Sequence, residues 1–186
     1  MVEKAQVRRV RADAQRNLGA VVEAAKAVFA ESGVDAPVRE IAARAGVGVG
    51  TLYRHFPRRA DLVVAVFERE IDECAAAAPA LAETNTPGEA LTKWIHRYTE
   101  LLGTKRGLAA ALHSGDPAFD ALPTYFEQRL TPALQTLVQA AVAAGEIRAD
   151  ADPADLLHAI AHLCASPDAD RAARMVDLLV DGLRPN

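Results

Sequence analysis

Six polar side chains crowd a short stretch of this chain: Thr51, Tyr53, Arg54, His55, Arg58 and Arg59. Their chemistry suits a polyanion. The hydroxyl, phenol and imidazole donate to phosphate oxygens, while a guanidinium adds positive charge and can reach a base edge with two parallel N–H groups. Leu52 and Phe56 are interleaved at i, i+4, which turns them to one side of a helix and leaves Val49, Thr51, Tyr53, Arg54 and His55 largely outward. Gly48 and Gly50 keep the leading edge of that helix thin, so that a backbone can approach another molecule closely.

The elements that must position this row are legible on both sides of it. Val38, Ile41, Ala42 and Ala45 form a short apolar stripe that Gly46 stops; Val47 plugs the turn, and Leu52 and Phe56 supply the buried side of the next short helix. Helix, glycine turn and second helix make a helix-turn-helix from Pro37 to Phe56, the arrangement whose second helix enters the DNA major groove. Before it, Leu18, Val21, Val22, Ala25, Val28 and Phe29 describe an amphipathic helix ending at Gly33. After it, a helix from about Arg58 to Ala78 turns Leu62, Val63, Val66, Phe67, Ile71 and Cys74 inward. A connection from Pro79 to Pro87 leads to helices near 88–103, 105–114, 118–145, 153–165 and 168–182, with Pro123 and Pro132 breaking or bending the 118–145 stretch. Thr86-Pro87, Asp116-Pro117, Asp152-Pro153 and Ser166-Pro167 each pair a capping residue with a proline at the first helical position, and Thr86 to Glu89 has capping-box spacing. With no alternating runs, the fold class expected is all-α.

Charge separates the two ends of the chain. The net charge of −4 over 186 residues would by itself argue against a nucleic-acid partner. Residues 1–60, however, carry eleven Lys and Arg against six Asp and Glu, a balance of +5, and residues 61–186 carry −9. A basic region for a polyanion is thus joined to an acidic body with another task. The start carries no apolar segment of a secretory signal, and the longest apolar run, Cys74 to Ala82, falls far short of the roughly 20 residues needed to span a bilayer. The expectation is a cytoplasmic protein without a membrane partner. Cys74 and Cys164 form no C-x-x-C pair and read as packing residues.

Val38-Arg39-Glu40-Ile41-Ala42, then Gly46-Val47, Gly50-Thr51-Leu52-Tyr53, His55-Phe56 and Asp61-Leu62 resemble the DNA-binding domain of the TetR family of bacterial transcriptional regulators. Ala24, Ala25, Phe29 and Gly33 resemble that family's first helix, so the detailed resemblance covers about residues 16–67. The resemblance implies an N-terminal three-helix helix-turn-helix domain plus a C-terminal helical bundle for regulation and dimerisation. The expected division is a flexible basic arm over 1–16, a DNA-binding domain over 17–67 and a ligand-sensing and dimerisation domain over 68–186. It also implies backbone phosphate contacts by Thr51, Tyr53 and His55, a base-facing side at Val49, Gly50 and Arg54, and a phosphate contact at Arg59, where the family often has Lys. Two positions depart from the pattern: Pro37 stands where a hydroxyl residue often opens the second helix, and Gly48 where Ser often caps the third. The expected partners are a palindromic double-stranded DNA operator, a small-molecule effector and a second copy of the chain; the expected function is a ligand-released repressor. The basic arm, with Lys4, Arg8, Arg9, Arg11 and Arg16, is either a minor-groove contact or a solvated tail.

In the acidic half Trp94, Tyr98, Tyr125 and Phe126, with His113, have the aromatic walls and polar tips of a ligand pocket, although core packing is the simplest reading of the Trp94 and Tyr98 stripe. His158 and His162 stand at i, i+4 on one helical face, but no third clustered ligand accompanies them, so no metal is expected. With Leu156, Ile160, Val176, Leu179, Val180 and Leu183 they are assigned to a dimer interface built from the last two helices. No nucleophile elbow, Walker sequence or dinucleotide fingerprint is present, so neither catalysis nor a cofactor is expected. Two rivals stay open: a helical protein-interaction module using the basic face, and a constitutive DNA binder with no effector.

Overall fold

The computed structural model describes the backbone of residues 2–112, 115–166 and 168–185, and within them the side chains from residue 17 onward, except 104–112. The described residues form eight α-helices and one 3-10 turn, with no strand: α1 (Val2–Ser32), α2 (Val38–Arg44), α3 (Val49–His55), α4 (Arg59–Thr84), α5 (Pro87–Leu112), the turn Pro117–Phe119, α6 (Leu122–Ala143), α7 (Pro153–Cys164) and α8 (Ala169–Asp181). The all-α expectation holds. No helix among the described residues is long and apolar enough to cross a membrane.

The chain divides into two compact units. The first comprises Met1–Arg69 together with Gly107–Asp120. Its buried side chains come from the stripes read in the sequence: Val21, Ala25, Val28 and Phe29 on α1, Ile41 and Ala42 on α2, Leu52 on α3, and Leu62, Val63, Val66 and Phe67 on α4. α1 stops where Gly33 takes a φ of +77°, a conformation that costs glycine little. The basic segment 2–16, expected as a flexible arm, has helical backbone continuous with the rest of α1.

The second unit comprises Glu70–Arg106 and Ala121–Asn186. One continuous core runs through α4 (Ile71, Cys74, Ala78), α5 (Leu91, Trp94, Ile95, Tyr98), α6 (Leu130, Leu134, Leu137, Val138, Ala141), α7 (Leu156, Leu157, Ile160, Cys164) and α8 (Val176). The capping box at α5 is formed: the Thr86 N–H donates to Glu89 Oε2 at 3.2 Å and the Glu89 N–H to Thr86 Oγ1 at 3.4 Å. Asp152 caps α7 by accepting from the N–H groups of Ala154 and Asp155 at 2.8 and 3.0 Å.

Several boundaries differ from expectation, each for a packing reason. α4 does not stop at Pro79: it continues to Thr84 because Ala78 and Leu81 extend its inward stripe onto the core. That burial compensates for the backbone hydrogen bond that an interior proline cannot donate. The two helices expected over 88–103 and 105–114 are the single helix α5, which passes through Gly103 at the modest cost of glycine in a helix, about 0.5–1 kcal/mol relative to alanine. Pro123 falls within the first two positions of α6, where it breaks nothing, and Pro132 lies inside that helix. The Asp116-Pro117 pair starts only a 3-10 turn, and the cap of α8 is Asp168, whose Oδ1 accepts from the Arg171 N–H at 2.9 Å, not Ser166.

Caps and core should separate in a denaturation experiment. Asp152→Ala is expected to lower unfolding stability by about 1 kcal/mol, and Leu130→Ala, which empties a fully buried site, by about 2–5 kcal/mol. Chemical denaturation followed by circular dichroism measures both; equal losses would contradict the described packing.

Candidate nucleic-acid interface

Local backbone chemistry fixes the angle between α2 and α3. Ala45 ends α2, Gly46 takes a φ of +67°, the Gly46 N–H donates to the Ala43 carbonyl at 3.2 Å and the Val47 N–H to the Ala42 carbonyl at 3.0 Å. This is the paired-bond glycine cap, in which a left-handed residue satisfies two carbonyls that the helix end would otherwise leave open. Gly48 then caps α3 in extended conformation, its carbonyl accepting from the N–H groups of Thr51 and Leu52 at 2.9 and 3.1 Å. Its side-chain cap bond is missing, as the absent serine hydroxyl implies.

α3 buries Leu52 and, immediately after its end, Phe56. Opposite them lie Val49, 41% exposed, and Tyr53, 49% exposed, with Gly50, Arg54 and His55 also exposed and Thr51 half-buried. Six of the eight expected contact residues therefore share one short helix with a single outward row. A Cβ added at Gly50 would meet nothing within 4 Å, and one at Gly48 only the Thr51 Oγ1 at 4.0 Å. Packing within the protein thus does not demand glycine at either place.

Arg54, Arg58 and Arg59 differ in what already occupies them. Arg54 makes no side-chain hydrogen bond or ion pair among the described residues. Arg58 donates from Nη2 to Asp61 Oδ1 at 2.6 Å and from Nε to Asp61 Oδ2 at 3.3 Å, while its backbone N–H donates to Asp61 Oδ2 at 3.1 Å, closing the first turn of α4. The pair holds the Asp61 carboxyl below its ordinary range and raises the Arg58 guanidinium, so both stay charged. Arg59 is turned inward along the chain's own backbone: Nη1 donates to the Val34 carbonyl and Nη2 to the Ala36 carbonyl at 2.8 Å. Its two bonds tie the connection between α1 and α2 to the start of α4. Arg44 of α2 likewise binds Glu31 of α1 at 2.7 Å. The carbonyl contacts of Arg59 could not be read from sequence, because they depend on a loop twenty-odd residues away that carries no side-chain signal.

In the second unit the expected pocket residues are packed together. Trp94 and Tyr98 are fully buried, with ring centroids 5.8 Å apart, and Tyr98 faces Phe126 at 5.7 Å. Their polar tips are already used: Trp94 Nε1 donates to the Cys74 carbonyl at 2.9 Å and the Tyr98 hydroxyl to the Leu157 carbonyl at 3.3 Å. Burial raises the Tyr98 phenol, which stays protonated. Tyr125 and Phe126 are half-buried against this core, and the Tyr125 hydroxyl donates to Asp72 Oδ1 at 2.9 Å. His113 lies outside the described residues. A groove of about 870 Å³ opens elsewhere on this unit, lined among others by Gly88, Lys93, His96, Ile147, Asp177 and Leu183.

The expected interface residues divide into two sets. Leu156, Ile160, Val176 and Leu183 are buried in the chain's own core, and Leu179 and Val180 are half-buried against it. That burial withdraws the first four from any outward contact. His158 and His162 are exposed, their Nδ1 atoms on the Ala154 and His158 carbonyls at 2.9 and 2.7 Å. No group of three or more His, Cys, Asp or Glu side chains that could hold a metal occurs among the described residues. The outward apolar residues of α8 that the sequence reading passed over are Leu178, 71% exposed, and Met175, 36% exposed, one helical turn apart. They follow the same periodicity on the other side of α8, so a second stripe was there to be found.

Comparison with known proteins agrees with this geometry. Residues 21–66 match the family described as bacterial regulatory proteins, tetR family, and residues 86–185 match that described as transcriptional regulator SbtR-like, C-terminal domain. The crystal structure of a TetR transcriptional regulator from Streptomyces coelicolor is similar with a TM-score of 0.76 and 37% identity, covering 91% of this chain and 99% of that one. A TetR transcription regulatory protein from Mycobacterium vanbaalenii gives 0.75 and 38%, covering 95% and 99%. An HTH-type transcriptional regulator of Staphylococcus aureus is 41% identical over 64 residues, 34% of this chain and 35% of that protein, so the match spans about a third of the curated relatives' length. The family is one of regulators and not of enzymes. With both units matched in sequence and the two crystal structures matched over nearly their whole length, the chain belongs to the TetR family of bacterial transcriptional regulators.

Proposed function

We propose that this protein is a sequence-specific, dimeric DNA-binding repressor that a small molecule releases from its operator. The observation that carries the reading is the outward row of α3: Arg54 with no side-chain partner among the described residues, flanked by Tyr53 and His55, on a helix whose opposite side is anchored by Leu52. Val49, Gly50 and Arg54 face base edges, while Thr51, Tyr53 and His55 hold phosphates. Arg58 adds a phosphate contact at the start of α4. Arg59, committed to two backbone carbonyls, supports the unit from within.

Dimerisation supplies the second reading head. Two recognition helices matched to successive major grooves lie about 34–36 Å apart along the duplex, which gives the operator its palindrome. The pairing surface is the outer face of α7 and α8, where Met175 and Leu178 of α8 and His158 and His162 of α7 are exposed. An effector bound by the second unit lowers operator affinity by the difference between its affinities for the free and operator-bound states, typically about 1–3 kcal/mol. Aromatic side chains around Tyr125 and Phe126 are the proposed lining of its seat, reached when the packing against Tyr98 loosens.

The test uses a duplex selected from random sequence by the full chain. Arg54→Ala is expected to cost about 1–3 kcal/mol of binding and to relax sequence preference, while Tyr53→Ala weakens binding evenly across sequences. Arg59→Gln should lower the melting temperature and leave the salt slope of binding unchanged, whereas loss of a true phosphate contact flattens it by about 0.9. Fluorescence anisotropy over a salt series measures all three; unchanged binding by both α3 variants would favour a protein-interaction module. For the dimer, Leu178→Glu is expected to give a monomer by sedimentation and to weaken operator binding; a wild-type chain that sediments as a monomer at micromolar concentration would contradict the arrangement. Screening compounds against the wild-type complex checks release, and failure of every ligand to alter binding would mark a constitutive binder.

A further inference from the structure

The first unit contains a segment that chain order does not announce. Residues 107–120 group with 1–69, and within them the turn Pro117–Phe119 is anchored by Phe119, which is buried. Asp116 caps this turn, Oδ1 accepting from the Ala118 N–H at 2.8 Å. The same oxygen stands 3.5 Å from Arg58 Nη1. The guanidinium of Arg58 is therefore divided between two carboxylates. Asp61 belongs to the first turn of α4 and is tied to it through the Arg58 backbone N–H as well, so it travels with Arg58. Asp116 arrives from the connection between α5 and α6, outside both the helix-turn-helix and α4.

We propose that Asp116 competes with operator phosphate for Arg58, so that docking of the 115–120 segment weakens the grip on DNA. A phosphate diester offers what Asp116 offers, an anionic oxygen within reach of a guanidinium N–H, and Nη1 cannot serve both at full strength. The contact is suited to competition and not to a permanent lock: at 3.5 Å, with side chains 58% and 36% exposed, it is screened by water and readily exchanged. Linkage makes the effect reciprocal. Operator binding loosens the segment, and anything that pulls the segment away strengthens operator binding by the same factor. The inference rests on the reading of the basic face as a DNA surface and adds to it a residue from outside the helix-turn-helix that sets its strength.

The experiment measures full-chain binding to the selected duplex by anisotropy across a potassium chloride series. Asp116→Asn keeps an oxygen to accept from the Ala118 N–H but removes the charge; it is expected to tighten binding about two- to fivefold and to steepen the salt slope by up to about 0.9. Asp120→Asn, an exposed change on the same segment, controls for net charge and is expected to leave binding close to wild type. Arg58→Gln should weaken binding, and Asp116→Asn added to it should change nothing more. The proposal is overturned if Asp116→Asn binds like wild type, if Asp120→Asn gains as much, or if the gain persists beside Arg58→Gln. If Arg58→Gln binds as tightly as wild type, Arg58 holds no phosphate and the proposal falls while the α3 reading stands. If the wild-type chain retains no duplex at all, it is the DNA reading itself that fails.

Discussion

The reading surface depends on the burial of Leu52. α3 is seven residues long, far below the length of about 12–15 at which an isolated helix becomes even marginally stable in water. Its geometry is therefore imposed by what it is packed against and by the turn that feeds it. Leu52 and Phe56 hold one side, the Gly46 cap sets the entry angle, and the outward row has its direction because nothing else on the helix is free to choose. Arg59 extends the same logic outside the helix: its two bonds to the Val34 and Ala36 carbonyls pin the strand of loop that delivers α2 to the start of α4. A residue that looks like a phosphate ligand by position contributes here by holding the frame.

How far the sequence discloses this structure follows from how local each cause is. The stripes of α1, the glycine turn, the Leu52 and Phe56 anchor and the caps at Thr86 and Asp152 are encoded within a few residues, and all were legible. Pro79 and Gly103 misled because their local cost was outweighed by burial along α4 and α5, a tertiary term that no window of sequence contains. α8 shows a related limit. Both sides of that helix carry apolar residues, and periodicity alone does not say which stripe meets the chain's own core; the structure gives Val176, and Leu183 just beyond the helix, to the core and leaves Leu178 outside. Trp94 and Tyr98 have the composition of a pocket wall and the spacing of a core stripe; in the structure their rings are buried and their polar tips donate to carbonyls.

Charge has a finer grain than the division near residue 60 suggests. The basic first part is not uniformly available to an anion: Arg44 is paired with Glu31, Arg58 with Asp61 and Asp116, and Arg59 with carbonyls. Among the described residues, Arg54 on α3 and Arg39 on α2 are exposed and carry no such partner. A modest number of positively placed groups on a rigid, thin helix accounts for the proposed recognition better than bulk charge does, since bulk charge gives affinity without sequence preference.

Hydroxyl-radical footprinting of the selected duplex with the wild-type chain tests the central claim most directly. The account predicts two protected patches, related by a two-fold axis and centred about one helical turn, 10–10.5 base pairs, apart or a multiple of it. Uniform weak protection without a preferred sequence, or a single patch with no symmetry, would contradict it.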